Sequence, residues 1–376
     1  MRIAGWIGLL AAPLTLALAA PALPAGAAPV TPFVHGLTAI SQVSSTVPPD
    51  GDVNPYGVAV VSFSVGDLVA GDVLVSNFND KANVQGTGTT IVQVSPSGSE
   101  STFAHITSLP AGSACPGGIG LTTALNILPG GWVVVGSLPT KGGALPKENP
   151  AGCLIVLSST GAVAETFSNT DINGPWDMTA QSTATTATLY VSNALGGNTR
   201  TKKGVPVAGE CTIARLDLTL SPSAAPALAS STVIGTDFPW RANPAALDLA
   251  PTGLALGPAG TLYVDNSFSN TVSAITGAAT RTTPVTQAAS LITKGGTLSA
   301  PLGLIVVPNG DILVVNGDNG VATELSPTGA RVATKLLVKN GAGDLFGLSL
   351  TPDGHGIYFV NDGTNALDLA QPHSAR

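Results

Sequence analysis

Residues 251–275 read PTGLALGPAGTLYVDNSFSNTVSAI, and residues 301–325 read PLGLIVVPNGDILVVNGDNGVATEL. Aligned without a gap, Pro251, Gly253, Leu254, Pro258, Gly260 and Asn266 meet Pro301, Gly303, Leu304, Pro308, Gly310 and Asn316. A third copy starts at Leu345 (LFGLSLTPDGHGIYFVNDGTNALDLA) and repeats the order Gly347, Pro352, Gly354, Asn361 with one inserted residue. Looser copies start at Pro55, Gly117 and Gly174. The anchor positions Gly57, Gly120, Asp177, Gly253, Gly303 and Gly347 recur every 44 to 76 residues, and six such units fill almost the whole 376-residue chain.

Each unit has the same physical grammar. A short apolar strand follows a Pro or Gly, and a Pro-x-Gly turn ends it. A β-rich run such as Leu262-Tyr263-Val264 comes next and stops at an Asn, whose side chain bonds the turning backbone. A third alternating strand and a weaker fourth follow. No segment holds a capped 3.6-residue apolar period. Repeats of this length with about four strands each are propeller blades. The sequence therefore predicts an all-β, six-bladed β-propeller of four-stranded antiparallel blades. Blade six has only three strands before the C-terminus, so residues 36–43 (GLTAISQV) are expected to supply its outer strand and close the ring.

Composition narrows the class. Charged residues are 10% of the chain, against a usual ~25%, and hydrophobic residues are 44%. That balance excludes a disordered acidic chain. A net charge of −7 has the wrong sign for a nucleic-acid binder.

The N-terminus reads as an address. Arg2 precedes an apolar run from Ile3 to Leu18, and Ala25-Gly26-Ala27 fits a signal-peptidase site. Pro13 and Pro21 break the run, which falls short of the ~20 apolar residues of a spanning helix. Residues 1–27 are expected to be a signal peptide and 28–376 one propeller domain, periplasmic or secreted and not membrane-spanning. Export implies an oxidising compartment, and three cysteines allow one disulfide. Cys115 with Cys153 is the candidate pair, and Cys153 with Cys211 the rival.

The pattern P-x-G-[LV]-A, then P-x-G-x-[LI]-[YL]-V, Asn and Asn-x-V resembles the NHL repeat of β-propellers. Its superfamily also holds gluconolactonase-type calcium lactonases and streptogramin-lyase-like propellers. The resemblance implies a ligand or metal over the central channel, at the residues opening each inner strand. Here those slots hold Tyr56, Ile119, Trp176, Thr252, Leu302 and Phe346, none with a carboxylate or amide. Calcium takes six to eight oxygen ligands, so Asp177 alone does not make that site. A lyase of this kind would need channel-facing histidines, yet His35, His105, His355 and His373 map away from the inner strands. No metal, cofactor or catalytic residue is assigned. Asn77, Asn193, Asn266, Asn316 and Asn361 share one repeat position and read as structural caps.

The loops are asymmetric. Blades one to three carry long second-to-third-strand insertions at 77–89, 137–152 and 193–210. They hold Lys81, Lys141, Lys147, Arg200, Lys202 and Lys203 against Asp80, Glu148 and Glu210, a basic lip on an acidic protein. Tyr56, Trp176 and Phe346 stand at inner-strand starts of the same face. The expected ligand-binding residues are thus Tyr56, Trp176, Asp177, Phe346, Lys202 and Lys203. The candidate partners are a small organic anion, a glycan or a protein. The functional expectation is an exported binding module with its site on the long-loop face. The alternative is a lactonase- or lyase-like enzyme with a departed metal site.

Overall fold

The structure is a computed structural model that describes Met1 and residues 31–146, 151–196, 207–221, 224–243 and 245–373. It contains six antiparallel sheets arranged as blades. Blade one is Val53–Val60, Val73–Asn79, Gln85–Val94 and Glu100–His105. Blade two is Leu125–Leu128, Trp132–Ser137, Cys153–Leu157 and Val163–Phe167. Blade three is Pro175–Ser182, Thr186–Asn193, Val207–Ser221 and Ala224–Asn243, extended by Leu247–Leu249. Blade four is Pro251–Leu256, Leu262–Asn266, Thr271–Ile275 and Leu291–Lys294. Blade five is Pro301–Val306, Ile312–Asn316, Val321–Leu325 and Arg331–Leu336. Blade six is Leu345–Leu350, Ile357–Asn361 and Ala366–Gln371, completed by Ala39–Ser45.

The ring closes as the sequence predicts, two to three residues further along. Ala39 pairs Gln371 and Ser45 pairs Ala366, so the N-terminal strand covers an edge that would otherwise stay open. A buried carboxylate holds the segment that feeds it. Glu324 of blade five accepts the backbone N–H groups of Phe33 (2.8 Å) and Val34 (2.9 Å) and the Asn309 amide (2.9 Å). Val34 and Leu37 are buried beside it.

The blades stack face to face, so the second strand of each blade has no solvent side. Val73–Asn79, Leu262–Asn266, Ile312–Asn316 and Ile357–Asn361 are buried at every position. This is why these segments read as continuous apolar runs rather than alternating ones. The core lies between blades: Val134, Leu154 and Val156 of blade two pack with Leu189, Val191 and Leu216 of blade three. Tyr263 and Val272 of blade four pack with Leu304 and Val314 of blade five.

The repeated asparagines are structural, but most act at longer range than a local cap. Asn77 donates to the Thr46 carbonyl (2.7 Å), Asn193 to Asp171 (2.9 Å), Asn266 to Pro239 (2.9 Å) and Asn316 to Thr297 (3.0 Å). Each acceptor lies on the segment arriving before the inner strand, 19 to 31 residues upstream. The side chain therefore satisfies a carbonyl that has no ladder partner where the chain changes blades.

Blade two corrects one sequence assignment. Its inner strand is Leu125–Leu128, not a strand opening at Ile119-Gly120. Leu121 meets Leu138 only through an isolated bridge. Gly120 is a glycine because the Leu138 carbonyl occupies the space of a Cβ. The axial packing gives the true position. A Cβ on Gly57 would meet the Thr123 carbonyl, as one on Gly303 would meet Phe346 and one on Gly347 would meet Tyr56. The slot of blade two is therefore Thr123.

Candidate functional site

The inner strands define the two ends of the channel. Pro55, Pro175, Pro251, Pro301 and Leu345, at or near their starts, pair with Asn77, Asn193, Asn266, Asn316 and Asn361 near the ends of the second strands. Inner-strand starts and second-to-third-strand loops consequently share one end, as the sequence implies.

That end is closed by aromatic packing. Tyr56 stacks on Phe346 with ring centroids 5.2 Å apart and meets Trp176 edge-on at 5.9 Å. Phe78 packs against both Tyr56 and Phe346. The Trp176 indole donates to the Tyr56 hydroxyl (2.7 Å), which donates to the Leu302 carbonyl (3.1 Å). Tyr56 and Trp176 are 3% and 4% exposed, so neither offers a surface to a ligand on the loop side. A hairpin lies over this layer. Arg241, Ala242 and Asn243 pair with Leu249, Asp248 and Leu247, and the Gln85 side chain of blade one bonds the Ala245 carbonyl (3.2 Å). Since the hairpin leaves the ring between blades three and four, reaching blade one takes it across the axis.

The open space lies on the other side of the aromatic layer. A cavity of about 310 Å³ occupies the axis, lined by all six inner strands. Its walls run from Tyr56 to Val60, Leu125 to Ile127, Asp177 to Thr179, Leu302 to Ile305 and Gly347 to Ser349, toward the end where the inner strands finish. Of the residues singled out from sequence, Tyr56 and Asp177 line this cavity. Trp176 and Phe346 pack in the layer behind it. Lys202 and Lys203 lie outside the described residues, as do Lys147, Glu148, Arg200 and all of the expected signal peptide after Met1. Lys81 and Lys141 of the lip are exposed.

Among the described residues, Asp177 is the only acidic residue of the cavity wall, and no Lys, Arg or His joins it there. Its Oδ1 accepts the Met178 N–H (2.8 Å) and its Oδ2 the Leu254 N–H (3.1 Å). Burial pushes its carboxyl up to about 7, and those two N–H bonds oppose the rise. Asp265 stands behind it. Its Oδ1 accepts from the Thr252 hydroxyl (2.5 Å) and the Gly253 N–H (2.6 Å), while Oδ2 is buried and has no hydrogen-bond partner among the described residues. Burial, with a smaller contribution from Asp177, pushes Asp265 up to about 8. The Thr252 hydroxyl also lies 2.9 Å from the Pro301 carbonyl. One hydroxyl proton serves one of these acceptors, so a protonated Asp265 completes the pair of bonds.

Asp265 did not stand out in the sequence, although the repeat contains the signal. The residue before the recurring Asn is Ser76 in blade one, Ser192 in blade three and Asp265 in blade four. Ser76 Oγ accepts the Gly57 N–H and Ser192 Oγ the Asp177 N–H, both at 3.0 Å. Asp265 does the same for Gly253. The position receives the axial N–H, and an acid there brings a titratable group to the axis.

A calcium centre of the lactonase kind does not fit the slots. Tyr56, Thr123, Trp176, Thr252, Leu302 and Phe346 offer hydroxyl, indole and hydrocarbon groups at the closed end. Among the described residues no group of three or more His, Cys, Asp or Glu side chains is placed to hold a metal. All four histidines are exposed, and His105 pairs with Asp50 at 3.3 Å. Cys115 and Cys153 form the disulfide, and the Cys211 thiol donates to the Ala194 carbonyl (3.1 Å). The rival Cys153–Cys211 pairing is not the one formed.

No protein-family model and no curated protein matches the sequence. Solved structures match the fold. The chain is similar to a gluconolactonase from Xanthomonas campestris, with a TM-score of 0.52 at 10% identity over 88% of this chain and 89% of that one. It is also similar to a protein described as an oxidoreductase (glucose dehydrogenase) from Thermus thermophilus, with a TM-score of 0.51 at 14% identity over 88% and 99%. A third likeness is to the calcium-binding protein regucalcin from Agrobacterium tumefaciens, with a TM-score of 0.50 at 12% identity over 87% and 92%. At these identities the likeness is one of fold, and propellers of one fold carry unrelated sites.

Proposed function

We propose that this chain is an exported β-propeller binding module that holds a small ligand in its axial cavity, at the end away from the long loops. The observation that carries the reading is the cavity itself: about 310 Å³, walled by six inner strands, with the Asp177 carboxylate facing in. A concave, largely preformed space with few convergent polar groups is the usual form of a small-ligand site. The closed aromatic layer at the loop end moves the proposed site from where the sequence suggested it. Export rests on residues 1–27 as a signal peptide and is supported by the Cys115–Cys153 disulfide, which suits an oxidising compartment. The propeller domain then begins at residue 28.

A thermal-shift panel of sugars, organic cations and organic anions tests this reading on the wild type and on Ser349→Trp, which fills the cavity wall. At least one class should raise the wild-type midpoint in a concentration-dependent way and leave the filled variant unmoved. A panel without effect, or an equal shift in both proteins, would refute the axial site. Calcium-dependent turnover of a sugar lactone by the same preparation would favour the lactonase-like alternative.

A further inference from the structure

We propose that the ligand of the axial cavity is a small organic cation, an amine or quaternary ammonium, with Asp177 as its counter-ion. This rests on the axial site argued above and names its ligand class.

Charge balance is the first observation. Asp177 lies at the deep end of the cavity beside Tyr56, and among the described residues no Lys, Arg or His forms a salt bridge with it. Its two N–H partners are backbone groups and occupy about half of the four acceptor sites that a carboxylate offers. A desolvated carboxylate without a counter-charge is costly, and a cation entering the cavity removes that cost. An anion would meet the opposite situation, since Asp177 and Asp265 behind it are both acids.

The chemistry of the wall selects the kind of cation. Leu125, Leu302 and Leu348 line the cavity beside Asn126, Thr179 and Ser349, and its surface is more polar than apolar. Such a mixed wall can take an ammonium N–H at its polar groups and methylene groups at its apolar ones. A bare divalent ion wants six or more oxygen ligands, and Asp265, the nearest further carboxyl, has its Oδ1 engaged by Thr252 and Gly253 behind the wall. One acid without a counter-charge in a cavity of mixed polar and apolar lining describes a site for a charged nitrogen carrying carbon.

Three probes of one shape separate charge from size: choline, its neutral isostere 3,3-dimethylbutan-1-ol, and 3,3-dimethylbutanoate. Calorimetric titration of the purified protein is made at pH 8, where Asp177 is mostly ionised, with methylammonium and benzyltrimethylammonium as smaller and larger cations. At least one ammonium should bind, and choline at least tenfold more tightly than its neutral isostere. Asp177→Asn should reduce choline to the level of the isostere and leave the isostere unchanged, with an undiminished melting temperature showing that the variant folds. If the isostere binds as well as choline, or if Asp177→Asn keeps the preference, the cation inference falls. The axial site then stands, provided Ser349→Trp abolishes isostere binding. Preference for the carboxylate also overturns the inference. If no ammonium binds, the inference is refuted. If sugars and anions also fail, the axial site falls with it.

Discussion

The Trp176 indole donates a 2.7 Å hydrogen bond to the Tyr56 hydroxyl, joining blades three and one across the propeller axis. The two residues are 120 positions apart in sequence. Their bond, with the stacking of Tyr56 on Phe346, divides the channel into a sealed loop end and an open far end.

Removing the hydroxyl tests how firmly the seal is held. Tyr56→Phe leaves the buried Trp176 Nε1 without an acceptor and the Leu302 carbonyl without its donor. An unpaired buried polar group costs about 1–3 kcal/mol. Chemical denaturation should show a loss of that order with an unchanged m-value, since the ring packing stays.

Stability should fall as pH rises from 5 to 8. Asp177 and Asp265 have folded values near 7 and 8, above the 3.8 of an unfolded chain. Between those limits the native state binds more protons than the unfolded state, so deprotonation favours unfolding. The stabilisation is present in mild acid, and its loss is complete once pH passes about 8. Midpoints of urea unfolding at pH 5, 6, 7 and 8 should decline by an amount on the order of a few kcal/mol in all. Asp265→Asn, which cannot ionise, should flatten the upper part of that decline. A flat wild-type profile would contradict the burial of the two acids.

The N-terminal closure depends on Glu324. Replacing it with Gln weakens two charge-assisted bonds, to Phe33 and Val34, that hold the chain ahead of the closing strand. Bonds of this type are worth about 1.5–3 kcal/mol each, and part of that remains in the amide. Hydrogen exchange should accelerate at residues 33–45 first, leaving the strands of blades two and three protected.

The Cys115–Cys153 bridge closes a segment 38 residues long. On the chain-entropy estimate its removal costs about 3–4 kcal/mol. Replacing both cysteines with serine should lower the melting temperature, and mass mapping of the oxidised wild type should recover the two cysteine peptides joined. A joined Cys153–Cys211 peptide would contradict the structure.

The repeat between 251–275 and 301–325 determined the architecture because blade packing imposes the same demands each time. These are a turn after the inner strand, a doubly buried second strand and an Asn that anchors the arriving chain. Blade two escaped that reading because Gly120 mimics the axial glycine for a different reason, close approach to Leu138, while Ala124 stands where the other copies carry Gly or Asp. The location of the site was less legible. Tyr56, Trp176 and Phe346 do line up at the inner-strand starts, but only their packing shows that they fill the axis and shift the open space beyond them. Asp177 was visible as the acid among glycines. Asp265 was hidden because its role is served by serine in two other blades.

The chain has two methionines, Met1 and Met178, and Met178 lines the axial cavity. Methyl-¹³C methionine labelling therefore places a single NMR reporter at the site. In titrations with the ammonium probes, the account predicts that the Met178 methyl resonance moves in a saturable way and that Asp177→Asn abolishes the movement. A ligand that raises the melting temperature while the Met178 resonance stays fixed would place binding elsewhere and contradict the axial site.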